Sequence, residues 1–115
     1  MAAGDVTITG DALLPNGLRM MTGTVVLDGG NPTPITLTNY LSSVLFGMVT
    51  MDGSAATGAD PNYVTSNVSG TTLNVYAWKV TTGGAAGNPT MIASTDNARL
   101  VDWFAIGETP SAARA

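Results

Sequence analysis

Neither cysteine nor histidine occurs among the 115 residues. Without cysteine there are no disulfides, no thiolate nucleophile and no sulfur ligands for zinc. Without histidine the chain lacks the commonest general base and metal ligand, so nucleophilic triads are excluded with it. Charge is also scarce. Only 10% of residues are charged, against about 25% in a typical soluble domain. The four cations, Arg19, Lys79, Arg99 and Arg114, are scattered, so no basic stripe tracks a phosphate backbone and direct nucleic-acid binding is not expected. No window approaches the roughly 18 consecutive apolar residues of a membrane span. The N-terminus, MAAGDVTITG, lacks the basic and apolar regions of a secretory signal. Synthesis in a cytoplasm and use without Sec export are the expectation.

Threonine and glycine take the place of charge, with seventeen threonines and fourteen glycines. A neutral surface of this kind is poorly solvated by charge and suits burial in an assembly, the favoured reading, with a monomer coated by Thr, Ser and Asn as the alternative. The length is that of a single domain, 1–115, with a core large enough to need no staples. Residues 1–4 read as a flexible arm and residues 109–115 as a small-residue tail.

The fullest structural signature is YVTSNVSGTTLNVYAWKV, residues 63–80. Two Val/Thr/aromatic runs flank Ser69-Gly70, a hairpin signal. In the second run Leu73, Val75, Ala77 and Lys79 alternate with Asn74, Tyr76, Trp78 and Val80, the period of a strand. Other strands are expected at residues 5–9, where Val6 and Ile8 share a side, and at 18–28 after the Pro15-Asn16-Gly17 turn. Gly23 inside the second of these predicts a bulge or a close backbone approach. The nearly continuous apolar run VLFGMVTM, residues 44–51, reads as a strand covered on both faces by a second sheet or a neighbouring subunit. RLVDWFAIG, residues 99–107, is the last strand, and residues 91–93 offer a brief further pairing.

Between these lie punctuation and ambiguity. Residues 29–34, GGNPTP, form a loop that neither a helix nor a central strand would tolerate. Residues 36–43, TLTNYLSS, fit either an irregular connection or one or two helical turns capped by Thr38 and carrying Tyr40 and Leu41, and a short helical turn is favoured. Residues 52–62 read as an exposed loop, and the Gly/Ala stretch 81–88 as mobile or ordered only by a partner. The fold class is therefore all-β: a small β-sandwich or Greek-key barrel of about six strands with one short helical turn.

No residue pattern forms an active site, and no enzyme, cofactor or metal is expected. The acids, Asp5, Asp11, Asp28, Asp52, Asp60, Asp96, Asp102 and Glu108, stand mostly in turns, where capping is their default use. Asp52 with Asp60 lacks the spacing of a calcium loop. Residues 83–87 resemble no phosphate loop, and Asn67-Val68-Ser69 is a chance sequon at a hairpin turn. Tyr76, Trp78 and Trp103 could form a sugar-binding or stacking platform, although large strand aromatics more often enter the core.

Four stretches carry a family resemblance: DVTIT leading to TGTVVLDGG, ITLTNYLSSVLFGMV, the hairpin NYVTSNVSGTTLNVYAWKV, and ARLVDWFAIGE. In order and character they resemble a family of small tailed-bacteriophage structural proteins that decorate or cement the capsid, over residues 5–108. Two features depart from that pattern, a proline-rich GGNPTP loop and a hairpin with few charges. The resemblance implies a virion protein on the outer capsid surface, a homotrimer that bridges major capsid subunits and stabilises the head. It points to the arm residues Ala2, Ala3, Gly4 and Asp5 and the loop residues Gly29, Gly30, Asn31, Pro32, Thr33 and Pro34 as shell or subunit contacts. A tail or head-completion protein and a carbohydrate-binding β-sandwich module are the alternatives.

Overall fold

A computed structural model describes residues 2–52, 61, 63–81 and 90–110. Among the described residues eight strands run β1 (Val6–Leu14), β2 (Leu18–Val26), β3 (Thr33–Thr36), β4 (Ser43–Met51), β5 (Tyr63–Ser69), β6 (Thr72–Thr81), β7 (Thr90–Ala93) and β8 (Leu100–Glu108). They form two antiparallel sheets. Sheet I has the order β1-β2-β8-β4, and sheet II the order β3-β6-β5 with β7 also on β6. The protein is a small β-sandwich. Most of the loop expected at 52–62, the Gly/Ala stretch 82–88 and the tail beyond 110 lie outside the described residues.

Alternation builds the core. In the hairpin, Leu73, Val75 and Ala77 face inward and are buried, as their period of two requires. From sheet I they meet Met21, Val25, Val101, Trp103 and Ala105. Full burial of each large apolar side chain is worth roughly 1.5–3 kcal/mol. The turn lies on Gly70-Thr71, since Ser69 pairs with Thr72. Gly70 takes φ 60, the left-handed conformation that a two-residue hairpin turn needs at its first central position. At the β1–β2 turn Asn16 and Gly17 both adopt positive φ, the conformation that Asn-Gly tolerates best.

Several expectations need correction. The first strand runs on to Leu14, with a bulge between Ile8 and Gly10. Because of the bulge, Val6 and Ile8 face the same side as Asp11 and Leu13 further along. Gly23 is itself regularly paired, and the close approach occurs there: an added Cβ would strike the Thr7 carbonyl oxygen and lie 2.9 Å from Trp103 Cζ2. Residues 37–41 make one turn, with Tyr40 N and Leu41 N both donating to Leu37 O. Thr38 does not cap it, because its hydroxyl is engaged with Thr71 Oγ1 at 2.8 Å.

The loop 29–34 ends in a strand, since Thr33 and Pro34 open β3. Proline is tolerated there because β3 is the edge of its sheet. The two strands beyond the expected six, β3 and β7, are four residues each. They lie end to end along one side of β6. Between them Ala77 would be unpaired, and the Asn31 side chain fills the gap. Ala77 N donates to Asn31 Oδ1 at 2.8 Å, while Ala77 O accepts from Ser94 N at 2.9 Å. We expect Asn31→Ala to cost about 1–3 kcal/mol, the penalty for a buried N–H left without a partner. A lowered urea midpoint with unchanged slope would show it.

The apolar run of β4 is not covered on both faces. Val44 is buried, but Leu45, Phe46 and Met48 are 57%, 52% and 54% exposed. Sheet II covers only the inner side of sheet I, and nothing among the described residues forms a third layer.

Candidate functional site

The residues marked by the resemblance gather at one end of the sandwich. Asp5 N donates to Ala2 O, and Gly4 N donates to Val26 O at 2.9 Å, so residues 2–5 form a turn pinned to β2. Gly4 lies against Asp28, where the loop 29–34 begins. The Asp28 carboxylate organises that loop. Its Oδ1 accepts from Gly30 N at 2.8 Å and from Thr33 Oγ1 at 2.9 Å, an Asx-type use of aspartate. Ala2, Ala3, Asp5, Gly30 and Pro34 are exposed, and Gly4, Gly29, Asn31 and Pro32 are partly so. Thr33 is fully buried and out of a partner's reach. Asn31 is spent on Ala77.

A larger feature is the outer face of sheet I. Register sets Phe46 beside Ile106, Met48 beside Phe104 and Thr50 beside Asp102 across β4 and β8. It continues through Met20 beside Ile106 and Thr22 beside Phe104 on β2, then to Ala12 and Leu14 on β1. Phe46 and Phe104 meet edge to face with centroids 6.2 Å apart. A shallow groove of about 250 Å³ runs between β4 and β8, lined by Met48, Thr50, Asp102 and Phe104 among others. The sequence signal was the unbroken apolar run of β4, read as double-sided burial.

The outer face of sheet II differs in chemistry. Tyr63 stands opposite Trp78, Thr65 opposite Tyr76, and Asn67 opposite Asn74. Tyr76 and Trp78 therefore lie outside the core, contrary to the expectation for large strand aromatics. The inner side of β6 is filled by Leu73, Val75 and Ala77, and strand alternation leaves their neighbours outside. Trp103 alone of the three platform candidates is buried, and its Nε1 has no partner among the described residues.

Acids in the described residues serve local structure. Asp11 binds the Arg19 guanidinium through both oxygens, at 2.7 and 2.5 Å, and this hydrogen-bonded pairing holds its carboxyl below the usual range. Asp96 accepts from Ala98 N and Arg99 N, and Glu108 from Ser43 Oγ. No group of three or more potential metal-ligating acids occurs among the described residues.

One pair was invisible in the sequence. Asp102 is pushed above its ordinary 3.8 by burial, then by a hydrogen bond to Asp52 and by that residue's charge. The consequence is for stability. With a raised folded-state value, Asp102 contributes stability that is present at acid pH and lost as pH rises through that value. Asp102→Asn should therefore stabilise the protein at neutral pH, the gain shrinking as pH falls towards the ordinary carboxylate range. Urea titrations across that range would show the two curves converging.

No family model, curated protein or solved structure matches the chain.

Proposed function

We propose that this protein is a structural component of a tailed-phage particle, a decoration protein that docks on the outer surface of the assembled head and bridges major capsid subunits. The observation that carries the reading is the open apolar face of sheet I, centred on Phe46, Met48, Phe104 and Ile106. Patches of that kind mark surfaces that another protein covers. The order of segments along the chain supports the same assignment, as does the scarcity of charge.

The homotrimer is what the family resemblance implies, and the size of the face is compatible with a multivalent unit. Four strands about 4.8 Å apart with a rise of about 3.4 Å per residue give roughly 500 Å² of face, below the ~800 Å² per partner of a stable interface. One copy docks weakly, and three linked copies gain avidity from their shared attachment. The exposed arm residues Ala2, Ala3 and Asp5 lie beside β2 at one end of sheet I, with Gly30 of the loop near them, whereas Pro34 stands on the outer side of sheet II.

The test is co-sedimentation of purified protein with expanded, DNA-free heads, together with the melting temperature of the heads. Binding with a raised melting temperature is expected. Binding to tails but not heads would transfer the assignment to a tail or head-completion protein and overturn this one.

A further inference from the structure

We propose that the outer face of sheet II is a binding site for a neutral oligosaccharide. This face is opposite the one assigned to assembly and is argued from different residues. Its centre is aromatic. The Tyr76 and Trp78 rings lie 11° from parallel with centroids 6.3 Å apart, and Tyr63, 45% exposed, stands directly across from Trp78. A pyranose ring has an apolar C–H face that packs on such rings and a rim of hydroxyls that needs donors and acceptors beside them.

Both are supplied here. Asn74 Nδ2 donates to Asn67 Oδ1 at 3.1 Å, Asn67 Nδ2 to Tyr76 Oη at 3.3 Å, and Trp78 Nε1 to Thr65 Oγ1 at 2.9 Å. This relay holds each side chain in one orientation, which lowers the ordering cost on binding. It also leaves capacity over: the Tyr76 and Thr65 hydroxyl protons, the second amide protons of both asparagines, and Asn74 Oδ1. A few placed polar groups beside an apolar surface are what a small-ligand site requires.

Charge selects the class of ligand. The outward residues of β5 and β6 are Tyr, Thr, Asn, Ser, Trp and Val, and β3 adds Pro34 and Thr36. None is charged. A phosphate backbone or an acidic sugar would find no cation on this face, and the net charge of −4 would repel it. A neutral glycan meets no such penalty.

The full-length protein would be titrated with cello-, laminari-, malto- and mannohexaose, with hexagalacturonate as the charged comparison, and followed by NMR of the indole and side-chain amide protons. At least one neutral hexasaccharide should shift the Trp78 indole and the Asn67 and Asn74 amides, and leave the Trp103 indole in place. Trp78→Ala should abolish the response. Asn74→Ala, a milder change that retains the aromatics, should weaken binding about tenfold. The proposal is overturned by silence from all four neutral sugars at about 10 mM, by tighter binding of hexagalacturonate, or by shifts that survive both substitutions.

Discussion

Replacing Gly23 by alanine is expected to destabilise the protein by about 3 kcal/mol or more, at the upper end of overpacking effects. The position lies in the middle of β2, which is paired on both sides by β1 and β8. Its missing side chain makes room for two things: the Thr7 carbonyl of β1 and the edge of the buried Trp103 ring. A methyl group there meets main chain on one side, which cannot swing away as a side-chain tip can. On the other it meets an indole already 3% exposed, with no space to retreat. Relief requires β1 to move off β2, which gives up ladder hydrogen bonds and uncovers Ile8. For a domain of this size about 3 kcal/mol corresponds to a fall of roughly 10–20 °C in melting temperature. Thermal denaturation measures it. A fall of only one or two degrees would mean that β1 is loosely held and that the close approach carries little of the fold.

The second large effect concerns docking. Phe46→Lys with Met48→Lys is expected to lower head binding at least a hundredfold and to leave the free protein folded. Both side chains are more than half exposed in the free chain, so little core packing is lost. The main cost is the Phe46–Phe104 edge contact, about 0.5–1.5 kcal/mol. Once the face is covered, both ammonium groups must be desolvated, a penalty of several kcal/mol per ion after relaxation that the one nearby carboxylate, Asp102, cannot offset for both. Avidity then multiplies the loss across copies. Lysine is chosen over glutamate because Asp102 lies nearby on β8, and a new carboxylate would mix repulsion with loss of docking. Leu13→Lys is the control. Leu13 is still more exposed, at 74%, but it shares the side of Met21 and Arg19 and does not belong to the outer face. Heads should bind the control as they bind the native protein. Equal binding by the double variant would remove the outer face of sheet I from the interface.

These predictions depend on features of unequal visibility in the sequence. The hairpin and its period of two were legible, since Leu73, Val75 and Ala77 alternate over a long run, while the turn lies one residue later than Ser69-Gly70 and the aromatic row lies outside the core. Gly23 was legible as a warning, and the structure identified its cause as the approach of Thr7 and Trp103. By contrast, β3 and β7 are too short to carry a full pattern, and of the two only β7 was foreshadowed, as a brief pairing at 91–93. They exist because β6 offers a row of unsatisfied groups along one side, and Asn31 closes the remaining gap. Nothing local to GGNPTP announces that role.

What the sequence determined by itself was the all-β class and the division of the long strands into two alternating rows. It also excluded chemistry that depends on cysteine or histidine. Those follow from residue type and from a period of two, both local properties. Tertiary structure decided what each outward row faces. An apolar run has the same local pattern whether one or both of its sides are covered, so β4 could not reveal that Phe46 and Met48 lie open. Likewise, alternation separates Tyr76 and Trp78 from Val75 and Ala77, but not which of the two rows is buried. That choice was made by the second sheet, which lies on only one side of the first.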